Sequence, residues 1–227
     1  MEKSSLNFIF INGRGSSGKD TQADLLVAQN PHAIRISTGD IYRGAKTPDG
    51  TYGKFHEQIK PFIEHVDKGG YIPDEVILPI VDQVIEDHIQ NGKNTFIFTG
   101  FPRTIDQLKA VDKYTQSLKE KYDKVNVDYV CYAVLEKHSK RRAEQRRENA
   151  QNTGTAIRRD DDLNIVLTRL QTYKSLTEPM LRLLAEQKRL HVIKSSGTIE
   201  DVRERTKRAL GILTPDLEIH GKPNKER

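Results

Sequence analysis

Residues 6–22, LNFIFINGRGSSGKDTQ, join a short apolar run to a glycine-rich turn and then to a stretch with helical spacing. The run from Leu6 to Ile11 has the length and apolar character of a strand covered on both faces. Gly13, Gly18 and Lys19 satisfy the spacing GxxxxGK, and TQADLLVAQN continues at helical period. The physical demand of such a loop is specific. Glycines let the backbone wrap so that successive N–H groups face phosphate oxygens. The start of the next helix adds partial positive charge, and the lysine reaches the outer phosphates. By composition alone GxxxxGK arises in about one chain in twenty of this length. Its place between a strand and a helix is what makes it a phosphate loop.

Outward from the loop, strand and helix signals alternate. Ala33 to Ile36 is a second strand, Gly39 to Ala45 a short helix, and TPDGTYGK a turn-rich segment before a helical stretch from Phe55 to Lys68. Gly69, Gly70 and Tyr71 break that stretch; Pro73 can open a new helix, and Pro79 predicts a kink or a restart. Thr95 to Phe98 and Val127 to Leu135 are further strands, with a helix from Ile105 to Lys121 between them. A charged helix follows Glu136, then the polar loop QNTGTA, then a long amphipathic pattern from Asp162 to Gln187. A strand from His191 to Lys194 and a helix from Ile199 to Leu210 close the pattern, and there is no internal repeat. The alternation predicts an α/β fold, a doubly wound five-stranded parallel sheet with helices on both faces, whose ligands bind beyond the carboxyl ends of the strands. The tail from Leu213, with Pro215, Gly221 and Pro223, is expected to be loosely packed.

The 227 residues, 35% hydrophobic and 30% charged, suit one domain with insertions. No apolar run reaches the roughly 18 residues of a membrane helix, and the start lacks the features of a signal peptide, so a cytoplasmic protein without a membrane partner is expected. The single cysteine, Cys131, excludes a disulfide framework and any multi-cysteine zinc site. The seven histidines have no metal-ligand spacing. A formal charge of +5 suits anionic ligands, and Arg141, Arg142, Arg146, Arg147, Arg158 and Arg159 fall close together. No aromatic stacking pattern accompanies them, which argues against nucleic acid as the partner.

Further segments, in order, make the chain resemble the nucleoside monophosphate kinase family, adenylate kinases of the short-lid type in particular. The family's GxxGxGKGTQ resembles Gly13 to Gln22, its STGDxxR resembles Ser37 to Arg43, and its GxxVxDE resembles Gly70 to Glu75 with Pro73 in place of the valine. DGFPRTxxQ is similar to Thr99 to Gln107. Two arginines four apart match Arg142 and Arg146, and RxDD with a following RL and tyrosine matches Arg158, Asp160, Asp161, Arg169, Leu170 and Tyr173. The late DGTxxxVR is echoed by Ser196, Gly197, Thr198, Val202 and Arg203.

The resemblance implies reversible, Mg²⁺-dependent transfer of the ATP γ-phosphoryl to AMP by a P-loop kinase expected to be a monomer. Its implied divisions are a core of 1–43, 71–141 and 159–212, a monophosphate-binding insertion 44–70, a short lid 142–158 and a tail 213–227. The lid lacks cysteine, so no structural zinc is expected. ATP is assigned to Gly13, Gly15, Ser16, Ser17, Gly18, Lys19, Asp20, Thr21, Arg142 and Gly197. AMP is assigned to Thr38, Arg43, Gly70, Ile72, Gly100, Arg103 and Gln107. Lys19, Arg103, Arg142, Arg146, Arg158 and Arg169 are the expected catalytic groups. The pairing of Thr38 with Gln107 favours AMP, since kinases of UMP or CMP usually carry alanine and asparagine there; a glutamine both donates and accepts, and such sites discriminate sharply. A pyrimidine monophosphate kinase and a regulatory nucleotide-binding protein with impaired catalysis are the alternatives.

Two departures from the family bear on magnesium. The aspartate that precedes GFPR is Thr99 here, and the glycine after the loop lysine is Asp20. Asp20 is therefore a candidate for the outer-shell contact to hydrated Mg²⁺, with a helix-start carboxylate as its plainer use. The loop also has Gly15 at the usual proline and Ser16 at the usual glycine.

Overall fold

The computed structural model describes residues 5–154 and 162–211, with Arg146, Ala150 and Leu163 described by their backbone alone. The first apolar run is strand β1 (Ser5–Gly13), followed by β2 (Ala33–Ser37), β3 (Thr95–Thr99), β4 (Lys124–Ala133) and β5 (Leu190–Lys194). They lie side by side as β2-β3-β1-β4-β5, every pair parallel. With β1 at the centre, the loop that leaves it opens where strand order switches sides, the place at which such sheets bind ligands.

Alternation along β1 sends Phe8 and Phe10 into one layer with Phe96, Phe98 and Tyr129, and Ile9 and Ile11 into the other with Ile97, Val130 and Ile193. Helices α1 (Lys19–Val27) and α10 (Ile199–Ala209) cover the isoleucine layer with Ala23, Leu26 and Val202. Helices α5 (Asp74–Gln90), α6 (Ile105–Leu118) and α9 (Glu178–Glu186) cover the aromatic layer. The ring of Phe10 is 4.9 Å from Phe98 and 5.1 Å from Tyr129, centroid to centroid. Phe10→Ala is expected to remove about 3–5 kcal/mol of stability through lost burial and the cavity left behind, read as a fall in the denaturant midpoint with the slope unchanged.

Four expectations about helices need correction. The stretch from Phe55 to Lys68 is not one helix: a 3₁₀ turn (Gly53–Phe55), α3 (His56–Ile59), a second 3₁₀ turn (Lys60–Phe62) and α4 (Ile63–Asp67) replace it. Pro61 has no N–H to extend the ladder of α3. Helix α5 does not restart at Pro79, which sits on its exposed side near the amino end and forfeits a single ladder bond. The long pattern from Asp162 is split into α8 (Leu163–Thr172), a π turn (Tyr173–Thr177) and α9. Pro179 lacks the N–H that would close the turn before it, and the ladder there widens. Between the second and third strands, α2 (Thr38–Gly44) matches its expected place, and after the fourth strand the charged helix α7 (Glu136–Thr153) runs into the expected loop, up to Gly154 at φ 65°.

Candidate functional site

The chain leaves β1 at Gly13 and becomes helical at Lys19, and the carbonyls of the turn between them accept from Ser139 at Gly15, Arg142 at Ser16 and Ser195 at Ser17. Gly13 has φ 150°, and a Cβ there would lie 2.7 Å from Ser17 Oγ and 2.9 Å from the Tyr132 carbonyl oxygen. Gly18 precedes α1 in the left-handed region, φ 85°. Ser16, where the resembled family has glycine, is also left-handed at φ 57°, a conformation that costs a residue with a Cβ about 1–2 kcal/mol. At Gly15 a Cβ would meet nothing within 4 Å, so sterically the loop accepts another residue there.

Above this loop lies a cavity of about 430 Å³. Its floor is made by Gly13, Gly15, Ser16, Gly18, Lys19, Asp20 and Thr21, and Arg103, Arg142 and Arg169 stand in its walls. A second cavity of about 50 Å³ shares Tyr71, Gly100, Arg103 and Arg169 with the first. Thr38, Arg43, Gly70, Ile72 and Gln107 line it. Most residues of the two expected groups line one cavity or the other, and the cavities meet at Arg103 and Arg169. Ser17 and Thr99 lie buried beneath the larger cavity's lining, and Gly197 lies outside both linings. Its φ of 93° turns the chain into α10, where Thr198 and Asp201 cap each other. The side chain of Arg146, and Arg158, Asp160 and Asp161, fall outside the described residues.

Arg103 is held from several sides. Its Nε donates to the Gly100 carbonyl, a terminal nitrogen donates to the Thr38 hydroxyl at 3.4 Å, and the guanidinium stacks over Tyr71 at 4.5 Å. Gly100 has φ 74°, and a Cβ there would lie 2.6 Å from the same guanidinium. Gln107, 2% exposed, accepts from the Arg103 backbone N–H at 2.7 Å and donates to Asp74 at 2.7 Å. Thr104 donates to that carboxylate as well, at 2.7 Å. One amide N–H and one lone pair of Gln107 remain for a base edge. Arg142 donates to the Ser16 carbonyl at 3.2 Å and to the Ser195 carbonyl at 3.0 Å, tying the loop to the end of β5.

Charge is concentrated here. Burial lowers the pKa of Lys19; the charge of Asp20 opposes the shift, and those of Arg103 and Arg169 add to it. Burial likewise lowers Arg103, and the charge of Arg169 reinforces the shift while the contact with the Tyr71 phenol opposes it. For Asp20, burial acts upward, but the Lys19 charge, the Thr99 hydroxyl and Arg35 outweigh it and hold the carboxyl below its usual range. The Thr99 hydroxyl and the Ser17 hydroxyl are both buried without a hydrogen-bond partner of ordinary geometry.

Several site residues escaped the sequence reading. Tyr71, Ser139 and Thr177 line the larger cavity, as does Asn12, a buried polar residue at the end of an apolar strand. That break in an apolar run was legible; the hydroxyls carried no signal of their own. The segment before α5 also needs its register moved. Seven positions counted back from Glu75 start at Gly69, which has φ 100°, and put buried Ile72 rather than Pro73 at the valine of GxxVxDE.

A family model described as adenylate kinase matches residues 11–189. The chain is 32% identical over 198 residues to an adenylate kinase of Nitrobacter winogradskyi, spanning 87% of this chain and 90% of that one. To an adenylate kinase of Clostridium kluyveri it is 32% identical over 228 residues, 90% of this chain and 98% of the other. To one of Chlamydia trachomatis it is 30% identical over 225 residues, 89% of each.

Proposed function

The chain belongs to the adenylate kinase family, and on that premise we propose the parts its residues play in moving a phosphoryl group from ATP to AMP. The activity is that of an adenylate kinase, reversible and giving two ADP. The observation that supports the assignment of residues is the meeting of two cavities at Arg103 and Arg169, one over the phosphate loop and one beside Thr38 and Gln107.

The acceptor is a phosphate oxygen, largely ionised near neutral pH because the second pKa of a phosphate monoester is about 6. No general base is needed. What the protein supplies is alignment of two anions, relief of their repulsion and exclusion of water. Lys19 and the loop N–H groups hold the donor's outer phosphates, with Ser16, Ser17 and Thr21 completing the cradle. Arg142 stands between the loop and Ser195, against the donor base. Arg43 and Arg103 take the AMP phosphate, and Arg169 faces the transferring group, a role the family resemblance gives to Arg146 and Arg158 as well. Thr38 and the remaining amide positions of Gln107 read adenine, while Gly70 and Ile72 cover it. Segments 44–70 and 142–158 act as covers over a core that works as a monomer in the cytoplasm. No helix among the described residues is long and apolar enough to cross a membrane.

Magnesium would accompany ATP. Beside phosphates such an ion keeps several of its waters and is bound chiefly by them, with few protein ligands. The residues present suit that form of binding: an ionised Asp20 at the cavity floor, with the Thr99 hydroxyl beside it, offers acceptors for metal-bound water. When bound, the ion would screen the phosphate charges. Asp20→Gly is expected to weaken Mg²⁺ binding to the protein–ATP complex about tenfold, measured with Mn²⁺ as a paramagnetic substitute, and to raise the Mg²⁺ concentration for half-maximal rate. An unchanged metal affinity would assign Asp20 to the helix start alone.

Initial rates with AMP, CMP, UMP and GMP as acceptors test the base assignment. AMP is expected to exceed the pyrimidine acceptors by at least about 10²-fold in kcat/KM, the scale of a hydrogen-bonding site. Comparable rates with UMP or CMP would refute the roles of Thr38 and Gln107.

A further inference from the structure

Arg35, on β2, lines neither cavity. Its guanidinium nevertheless faces three carboxylates at once. Nε lies 2.7 Å from Asp24, one terminal nitrogen 2.9 Å from Asp40 and the other 3.6 Å from Asp20. Two of these carboxylates also hold a cation of a nucleotide site. Asp20 is 3.3 Å from Lys19 Nζ at the donor loop, and Asp40 pairs with Arg43 at the acceptor cavity. Lys19, Asp20, Arg35, Asp40 and Arg43 thus form a line of alternating charge that runs from one site to the other.

The charge count gives this line a consequence. While Lys19 and Arg43 lie on their carboxylates, three cations balance Asp20, Asp24 and Asp40. When phosphates draw Lys19 and Arg43 away, Arg35 is left among these groups to neutralise the three acids, of which Asp20 lines the donor cavity and Asp40 stands behind Arg43 of the acceptor cavity. A neutral residue at 35 would leave Asp20 and Asp40 to grip the two cations more tightly and to repel phosphate. We propose that Arg35 is a positioning residue shared by both nucleotide sites: it holds Asp20 and Asp40 so that Lys19 and Arg43 can be given up to phosphate. The proposal rests on the assignment of Lys19 to ATP and Arg43 to AMP.

Calorimetric titration with ATP alone and with AMP alone, in the absence of Mg²⁺, measures each site without turnover. Arg35→Met is expected to weaken both nucleotides about tenfold, the scale of one partly screened charge contact. Adding Asp20→Gly to Arg35→Met is expected to recover ATP affinity to within about threefold of wild type while AMP stays weak, because the repelling carboxylate is removed on the donor side only. A merely structural arginine would give no such one-sided rescue. Arg35→Lys keeps the charge without the fork; it is expected to fall between wild type and methionine, and it serves in place of Arg35→Met if circular dichroism shows the latter unfolded. Lys19→Met and Arg43→Met in the same titrations should weaken ATP and AMP respectively. If they do not, the nucleotide assignments fail and the proposal with them. If they do, but a folded Arg35 variant binds both nucleotides within twofold of wild type, or loses ATP without rescue by Asp20→Gly, the part given to Arg35 alone is overturned.

Discussion

Replacing Lys19 by methionine is expected to lower kcat/KM about 10²–10³-fold while leaving the folded protein at least as stable. The kinetic loss follows from position. Lys19 opens α1 directly after the loop's last glycine, its side chain is 17% exposed, and it lines the large cavity beside the loop N–H groups. Charge on the transferring phosphoryl is met there by a fixed cation in a site that excludes most water, where one such contact is worth several kcal/mol in the transition state. The stability expectation follows from the sign of the pKa shift. A lysine whose pKa is lowered by burial costs the native state free energy at pH values below that lowered pKa, where it must stay charged. Methionine of similar length removes this cost, so the thermal midpoint at neutral pH should hold or rise. A midpoint that fell by several degrees along with the activity would make Lys19 a structural residue.

Arg103 carries the second large effect, because it belongs to both cavities. Arg103→Met is expected to cost about 10²–10³-fold in kcat/KM, and Arg103→Lys about tenfold less. The difference isolates geometry from charge. The guanidinium donates to Gly100 and Thr38 and stacks on Tyr71 while still presenting nitrogens to the space between the sites. A lysine supplies the same charge from a flexible stem and cannot keep those anchors while reaching phosphate. Steady-state rates over both substrates check this: kcat should fall more than the AMP KM rises, since alignment of the transferring group is what is lost. Equal behaviour of the lysine variant and wild type would show that charge alone suffices.

The course of β1 into the loop was legible because three signals coincide there: an apolar run, glycines at positions that need them, and a lysine opening a helix. Gly13 and Gly18 have the backbone that the spacing demands. Strand order was legible only as a class, since pairing is decided by contacts far apart in sequence. The pieces between Phe55 and Asp67 were misread as one helix because the apolar period continues through Pro61 while the backbone ladder does not. The same competition divides α8 from α9 ahead of Pro179. At the site, charged residues in recognisable spacings were found, whereas Tyr71 and Thr177, whose hydroxyls meet at 3.1 Å, come together only through the fold. Asp74 shows a further limit. It fixes Gln107 through a contact 33 residues away, and nothing in either segment announces the pair.

Two nucleotides bound in adjoining cavities at Arg103 and Arg169 would exchange the phosphoryl group directly. Incubating the protein with Mg²⁺, AMP and ATP labelled at the γ-phosphorus, and locating the label at early times, tests it most directly. Label at the β-position of ADP, with negligible inorganic phosphate when AMP is omitted, is the expected result. Label that stays in ATP, or that leaves as inorganic phosphate whether or not AMP is present, would contradict it.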